Sequence, residues 1–391
     1  MKRPCVYCGN NPIPHSIHKF YESTDILFSP IRRVLAGSFL GRAGDSIGTA
    51  VGLGVLKILS LLGLVTVNRD IAQIKFDRAR VLWEEALARN IPIEEIRPFG
   101  RSIDLYKAEV NGRNLYFMNL PRLEHVGTSN LTWIDDKYLL KKKLQAGNFP
   151  VAPGSAFLTL HQALKTFNSL EKPVIVKPRT GSRGRHTTTF VYTEQDFIKA
   201  FKIANQLCSW VLVEEHLFGD VQRATVIGGK LIGMLGGSSP QVTGDGEHTI
   251  EQLIKTKDSQ RPERVKEIKV NPLFLERQGL TMDTILNQGK TVSLSEKIGI
   301  NYGGTSYDCT DGTHPETKEM LQKAGQSLDI SILGFDFIIP DITKPYKDQK
   351  CGIIECNGAP FIQLHHDPLI GSPINAAKYV WDLVTASPPK S

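Results

Sequence analysis

Two short apolar runs near the C-terminus each carry oxygen side chains in positions that only a sheet would align. Residues 332–339, Ile-Leu-Gly-Phe-Asp-Phe-Ile-Ile, have Asp336 as their lone charge. Residues 352–357, Gly-Ile-Ile-Glu-Cys-Asn, end in Glu355 and Asn357. As a strand, the second run sends Glu355 and Asn357 to one face and Cys356 to the other. Together the runs offer Asp, Glu and Asn oxygens, the hard ligands magnesium prefers, and bound Mg²⁺ is usually shared with substrate phosphates. For Glu355 alone, a strand end meeting solvent is the better account, so the rest of the chain has to decide.

Upstream, 173–184 reads as a strand ending at Lys177, followed by the loop Pro178-Arg179-Thr180-Gly181-Ser182-Arg183-Gly184. A lysine where a strand stops suits a phosphate oxygen. Gly181 and Gly184 let backbone N–H groups close over an anion, and Arg183 and Arg185 add charge. The spacing is neither of the common phosphate-loop patterns, and by itself it also fits a surface turn. Residues 210–217 form an apolar strand ending in Glu214-Glu215-His216-Leu217.

Around these pieces the elements alternate. Helices are expected at 135–147, 159–170, 194–206 and 313–329, and strands at 173–177, 187–192, 210–215, 222–227 and 230–236. This is an α+β pattern with a β-rich middle and a closing sheet. Residues 70–133 read as a small α/β lead-in, with one helix over 70–89 and a hairpin turned at Asn111-Gly112.

The first 69 residues differ. Cys5, Cys8, His15 and His18, spaced C-x2-C-x6-H-x2-H, are a candidate tetrahedral zinc knuckle. Residues 47–67 hold Lys57 as their only charge and are long enough to cross a bilayer's apolar core. Spanning a membrane, lying on its surface and packing inside protein all remain open for this stretch. The net charge of +7 favours anionic partners, but the basic residues are thinly spread and no aromatic-interleaved patch suggests nucleic acid. Six scattered cysteines and the lack of a basic-then-apolar leader point to a reducing, cytoplasmic setting, with membrane association through 47–67 as an added expectation.

The order Asp-Lys at 136–137, strand-Lys-glycine loop, strand-Glu-Glu, Gly-Phe-Asp at 334–336 and Glu-x-Asn at 355–357 closely resembles the ATP-grasp superfamily of carboxylate–amine ligases. The nearest likeness is to the ATP-grasp module of cyanophycin synthetases, through 242–250, 277–281, 303–311 and Asn357-Gly358-Ala359-Pro360. The resemblance covers about 135–368. The first 130 residues match no motif of those enzymes' N-terminal region, and their Mur-ligase-like half is absent.

The resemblance implies an ATP-grasp fold, two α+β subdomains gripping ATP, over 134–385. It would be preceded by the lead-in of 70–133 and the segment 1–69. It implies that Lys137 and Lys177 contact the ATP phosphates and that Gly181, Ser182, Arg183 and Gly184 form a lid over them. Glu214 would meet the adenine amino group, with Glu215 and Leu217 contributing backbone, and Asp220 would stand in for the usual ribose acid. Asp336, Glu355 and Asn357 would hold two magnesium ions, with Glu355 bridging. Arg223 would face the γ-phosphate or the anionic intermediate, and Gly303-Gly304-Thr305 would line the acceptor region.

Three departures stand out. Val221 occupies the usual ribose-acid position, Phe361 replaces a glycine after the Asn-x-x-Pro tetrad, and Leu140-Lys141 stands where relatives have Thr-Lys.

The implied reaction joins a small-molecule or peptide carboxylate to an amine through an acyl phosphate, releasing ADP. A nucleotide-binding regulatory or scaffold module and an ATP-grasp kinase are the alternatives. His216, His248, His365 and His366 are general-base candidates by type only, and a homo-oligomer fits the reading as well as a monomer.

Overall fold

The computed structural model describes residues 5–8, 14–36, 52–122, 133–181, 184–295 and 297–386. Four antiparallel sheets organise them. The first is a meander of β1 (Val65–Asn68), β2 (Ile93–Pro98), β3 (Leu105–Val110) and β4 (Arg113–Met118) in sequence order. Its β3–β4 turn is the expected Asn111-Gly112 pair, with φ of 52° and 72°. Two consecutive left-handed residues match the right-handed twist of the flanking strands, which is why Asn-Gly is favoured there.

The helix expected over 70–89 is divided. Asp70 accepts from the Ala72 amide and caps a single 3-10 turn, Ile71–Gln73. The chain then runs extended through Ile74 and Phe76 before the helix Asp77–Ala88 begins. That break drops Ile74 into the core, and the helix adds Ala79, Leu82, Trp83 and Ala86 from one face. The same core takes Val380, Trp381 and Val384 from the C-terminal helix Ala376–Ala386. The Trp381 indole donates to the Leu82 carbonyl at 2.9 Å. Residues 65–120 therefore share a core with the far end of the chain.

The apolar stretch 47–67 is not one helix. Residues 47–51 lie outside the described residues, 52–61 are helical, and the chain turns at Gly63 (φ 69°) into β1. Gly63 supplies the left-handed residue that commonly ends a helix. Along the helical part Val55, Ile58, Leu61 and Leu62 are exposed in the single chain. Among the described residues no helix is long and apolar enough to cross a membrane.

The second sheet, ordered β5-β8-β6-β7, comprises β5 (Gly154–Phe157), β6 (Val174–Pro178), β7 (Thr188–Val191) and β8 (Val211–Glu215). Helices Leu160–Ser169 and Glu194–Asn205 cover its apolar side through Phe167, Phe197 and Phe201. The largest sheet, ordered β13-β10-β9-β14-β15, contains β9 (Asp220–Ile227), β10 (Lys230–Ser238), β13 (Thr305–Asp308), β14 (Ile332–Ile339) and β15 (Gly352–Asn357). A two-stranded ribbon of β11 (Gln241–Thr243) and β12 (Thr291–Ser293) stands apart.

One face of the large sheet packs Ala224, Val226, Leu333, Phe335, Phe337 and Cys356 against helices Lys137–Ala146 and Pro315–Ser327. Each fully buried Phe of this set contributes roughly 1.5–3 kcal/mol. By the period of two, the other face is left for polar side chains.

Candidate nucleotide and metal site

Strand register builds the polar face. Asp336 on β14 pairs with Arg223 on β9 and, on its other side, with Glu355 on β15, giving a row Arg223–Asp336–Glu355. The next row on that face is Thr225–Gly334–Asn357. A bulge in β15 just before Glu355 adjusts the pairing, and Cys356 points into the core as the alternation requires.

The electrostatics of this row are unbalanced. Arg223 Nε stands 3.6 Å from Asp336 and Lys137 Nζ 4.0 Å from Glu355, both beyond a good hydrogen bond. Burial pushes the Asp336 carboxyl up to about 6, opposed by Arg223 and reinforced by the Glu355 charge. Two adjacent carboxylates and an amide oxygen, with neither carboxylate held closely by a cation, are a donor set that a hard divalent ion fits.

Lys137 opens a helix that packs on this same sheet. Its helix, Lys137–Ala146, starts where Asp136 caps the amides of Tyr138 and Leu139. The same carboxylate grips Arg179 through contacts of 2.9, 3.0 and 2.7 Å, fixing the helix start to the end of β6. Lys137 Nζ also donates to the Gly181 carbonyl, so it spans from the glycine loop to the Glu355 row. Ser182 and Arg183 of the expected lid lie outside the described residues.

Beside it, Lys177 at the end of β6 holds Glu214 Oε2 at 2.7 Å, and Lys141 contacts Glu214 Oε1. All three are buried. Burial would raise the Glu214 carboxyl, but Lys177 and Lys141 outweigh it and hold it down at about 2. Burial pulls Lys141 the other way, below its ordinary value, against the pull of Glu214. Two lysines sharing one carboxylate leave room for an anion as the second counter-charge. The Glu214 side chain, expected at the adenine amino group, pairs with these two lysines.

Glu215 pairs with Lys350 at 2.7 Å. Leu217 is buried, and Asp220 accepts from the Tyr307 hydroxyl at 3.0 Å. Lys141 was not among the expected site residues; its signal was a charge inside the apolar stripe of its helix.

Arg223, Asp336 and Asn357 also line a cavity whose far wall is Phe361, Leu364 and His365. Phe361 lies under Arg78 of the Asp77–Ala88 helix, with 5.7 Å from guanidinium to ring centroid, and Arg78 donates to the Ala359 carbonyl at 2.9 Å. Sequence reasoning missed this wall because Arg78 lies far upstream. Thr305, expected to line the acceptor region, sits at the sheet edge and bonds Ser238 at 2.6 Å.

The four candidate bases are otherwise engaged. His365 is buried, meets Thr225 Oγ1 at 2.7 Å and is pushed down to about 4 by burial. His216 stacks on Phe190 and is also lowered to about 4 by burial. His248 pairs with the Asp245 carboxylate at 2.7 Å, and His366 accepts from the Ala377 amide at 3.1 Å.

The N-terminal Cys/His set differs from expectation in one member. Cys5, Cys8 and His15 converge with His186, not with His18. His18 is drawn off by the Leu207 carbonyl at 3.1 Å and Glu22 at 3.6 Å.

Comparison with protein-family profiles returns no match. The chain is 33% identical over 270 residues to cyanophycin synthetase of Crocosphaera subtropica, covering 66% of this chain and 30% of that protein. It is 32% identical over 342 residues to the glutathione biosynthesis bifunctional protein GshAB of Streptococcus agalactiae, covering 80% and 45%. The crystal structure of a bifunctional glutathione synthetase from Pasteurella multocida superposes with a TM-score of 0.52 at 26% identity, over 78% of this chain and 42% of that one. The chain thus spans less than half the length of these relatives.

Proposed function

Since the chain is an ATP-grasp protein related to the cyanophycin synthetases, we propose that it joins a carboxylate to an amine at the expense of ATP, releasing ADP and phosphate. The observation that carries this reading is the meeting of two charged sets: the row Arg223–Asp336–Glu355 on the large sheet, reached by Lys137 at 4.0 Å from Glu355, and the buried trio Lys177, Lys141 and Glu214 at the end of β6.

Phosphoryl transfer needs little covalent help from protein, so positioning and neutralisation of charge supply most of the rate. Lys177 and Lys141 form the buried positive floor for the phosphates, with Glu214 holding both in place. Lys137 ties the glycine loop to the carboxylate row. Asp336, Glu355 and Asn357 are the residues that would hold magnesium, as two ions if Glu355 bridges; bound there, it would supply charge neutralisation to the transferring phosphoryl group. Arg223 faces the acyl phosphate made when the carboxylate oxygen attacks the γ-phosphorus and the bond to ADP breaks. An amine entering past Phe361 then attacks the carbonyl, and phosphate leaves as the amide forms. Small-molecule or peptide acids and amines are the substrate class.

The test is ADP release by the purified chain with ATP, Mg²⁺ and pooled acids and amino acids, with mass spectrometry of the products. The ligase reading expects release to require both an acid and an amine. Release with one acceptor alone and a phosphorylated product would make the protein a kinase. No release with any pair would leave a nucleotide-binding module.

A further inference from the structure

We propose that Cys5, Cys8, His15 and His186 bind one zinc ion, and that this metal fastens the N-terminal segment to the loop between β6 and β7. The second half rests on the ATP reading for its functional meaning; the first does not. The four ligand atoms lie within 4.8 Å of one another. Cys8 Sγ is 3.0 Å from His15 Nε2 and 3.4 Å from His186 Nε2, and Cys5 Sγ is 3.4 Å from His186 Nε2. A tetrahedral zinc ion with ordinary bond lengths puts sulfur and nitrogen ligands about 3.5 Å apart, so the cluster is close to a zinc-sized shell. Cys5 and Cys8 are not joined by a disulfide.

Two further features select His186 as a ligand. Its Nδ1 meets the Ile203 carbonyl at 2.8 Å, which fixes the Nδ1–H tautomer and leaves the Nε2 lone pair aimed at the sulfurs. Its backbone amide donates to the Tyr7 carbonyl at 3.2 Å, locking the loop to the Val6–Cys8 turn that supplies the cysteines. His186 is buried and lies two residues beyond Gly184, at the exit of the glycine loop.

The helix His15–Ala36 extends the attachment. Lys19 bonds Asn205 at 2.8 Å and Ser23 bonds Ser209 at 2.9 Å, so the segment lies against the turn between helix Glu194–Asn205 and β8. The metal would join positions 8 and 186 across a long chain separation, where a clip removes the most chain entropy.

Metal content of the full-length protein, purified without chelator, tests the site. We expect about one zinc per chain in the wild type and in His18→Ala, and loss of zinc in Cys5→Ser/Cys8→Ser and in His186→Ala. Cobalt-reconstituted protein should show thiolate-to-cobalt charge transfer and intense tetrahedral bands, weakened in His186→Ala even if that variant stays folded. A wild type without stoichiometric metal after zinc reconstitution, a Cys5–Cys8 disulfide, or a His18→Ala that loses zinc while His186→Ala keeps it would overturn the site. Hydrogen exchange over 184–191 should quicken on chelation; unchanged exchange there would overturn the fastening role while leaving the zinc count standing.

Discussion

Glu355 is the residue on which the ATP reading turns, because it adjoins Asp336 in the row and reaches toward Lys137 across the cleft. Glu355→Ala should reduce turnover at least 100-fold while the urea midpoint stays within about 0.5 kcal/mol of wild type, since the side chain is partly exposed and lacks close protein partners. Near-normal turnover would remove the metals from this strand. A second residue-scale prediction follows from His365, which burial holds at about 4 against an ordinary 6.5, with His216 shifted the same way. The unfolded chain takes up these protons as pH falls from 6.5 toward 4, and the folded chain does not. Stability is therefore complete above 6.5 and declines on acidification through that window. Urea midpoints at pH 7 and pH 5 should differ in the wild type and differ less in His365→Gln. The face shared by Glu355 and Asn357 was legible because a strand alternates strictly. The Glu214 pairing and the proposed His186 ligand were not, since their partners lie 37 to 181 residues away in sequence.

At the level of elements, the turn at Asn111-Gly112 was readable from two residues, whereas β2 was not. That strand carries Glu95 fully buried, held by Asn68 at 3.2 Å, Arg97 at 2.8 Å and Ser102. A charge inside a strand masks the alternation that sequence reading depends on. The 70–89 helix failed for a related reason: helical periodicity ran on through Ile71 and Ile74, while the backbone turns extended at Ile74 and Phe76. Gly112→Val tests the turn directly. At φ +72° a β-branched residue should cost about 1–2 kcal/mol in urea denaturation, with catalysis unaffected; an unchanged midpoint would mean the turn is not held in that conformation.

Across the whole molecule, the site exists only where two sheets meet, and the third contributes a wall. Lys177 ends β6, Lys137 opens a helix packed on the large sheet and tied to the end of β6 through Asp136 and Arg179, the carboxylate row belongs to β9, β14 and β15, and Arg78 from the 65–120 region braces Phe361. The order of motifs along the chain pointed to the first two. The third could not be read, because its link to the site runs through a core shared with the C-terminal helix. This arrangement makes one chemical claim above the rest, that a carboxylate oxygen attacks phosphorus. The most direct measurement is oxygen-isotope transfer: the enzyme with ATP, Mg²⁺, an amine pool and acids carrying ¹⁸O in their carboxylates, followed by mass analysis of the released phosphate. An acyl-phosphate ligase delivers one labelled oxygen to each phosphate released alongside amide. Amide formed with unlabelled phosphate, or phosphate released with no dependence on the acid, would contradict the account.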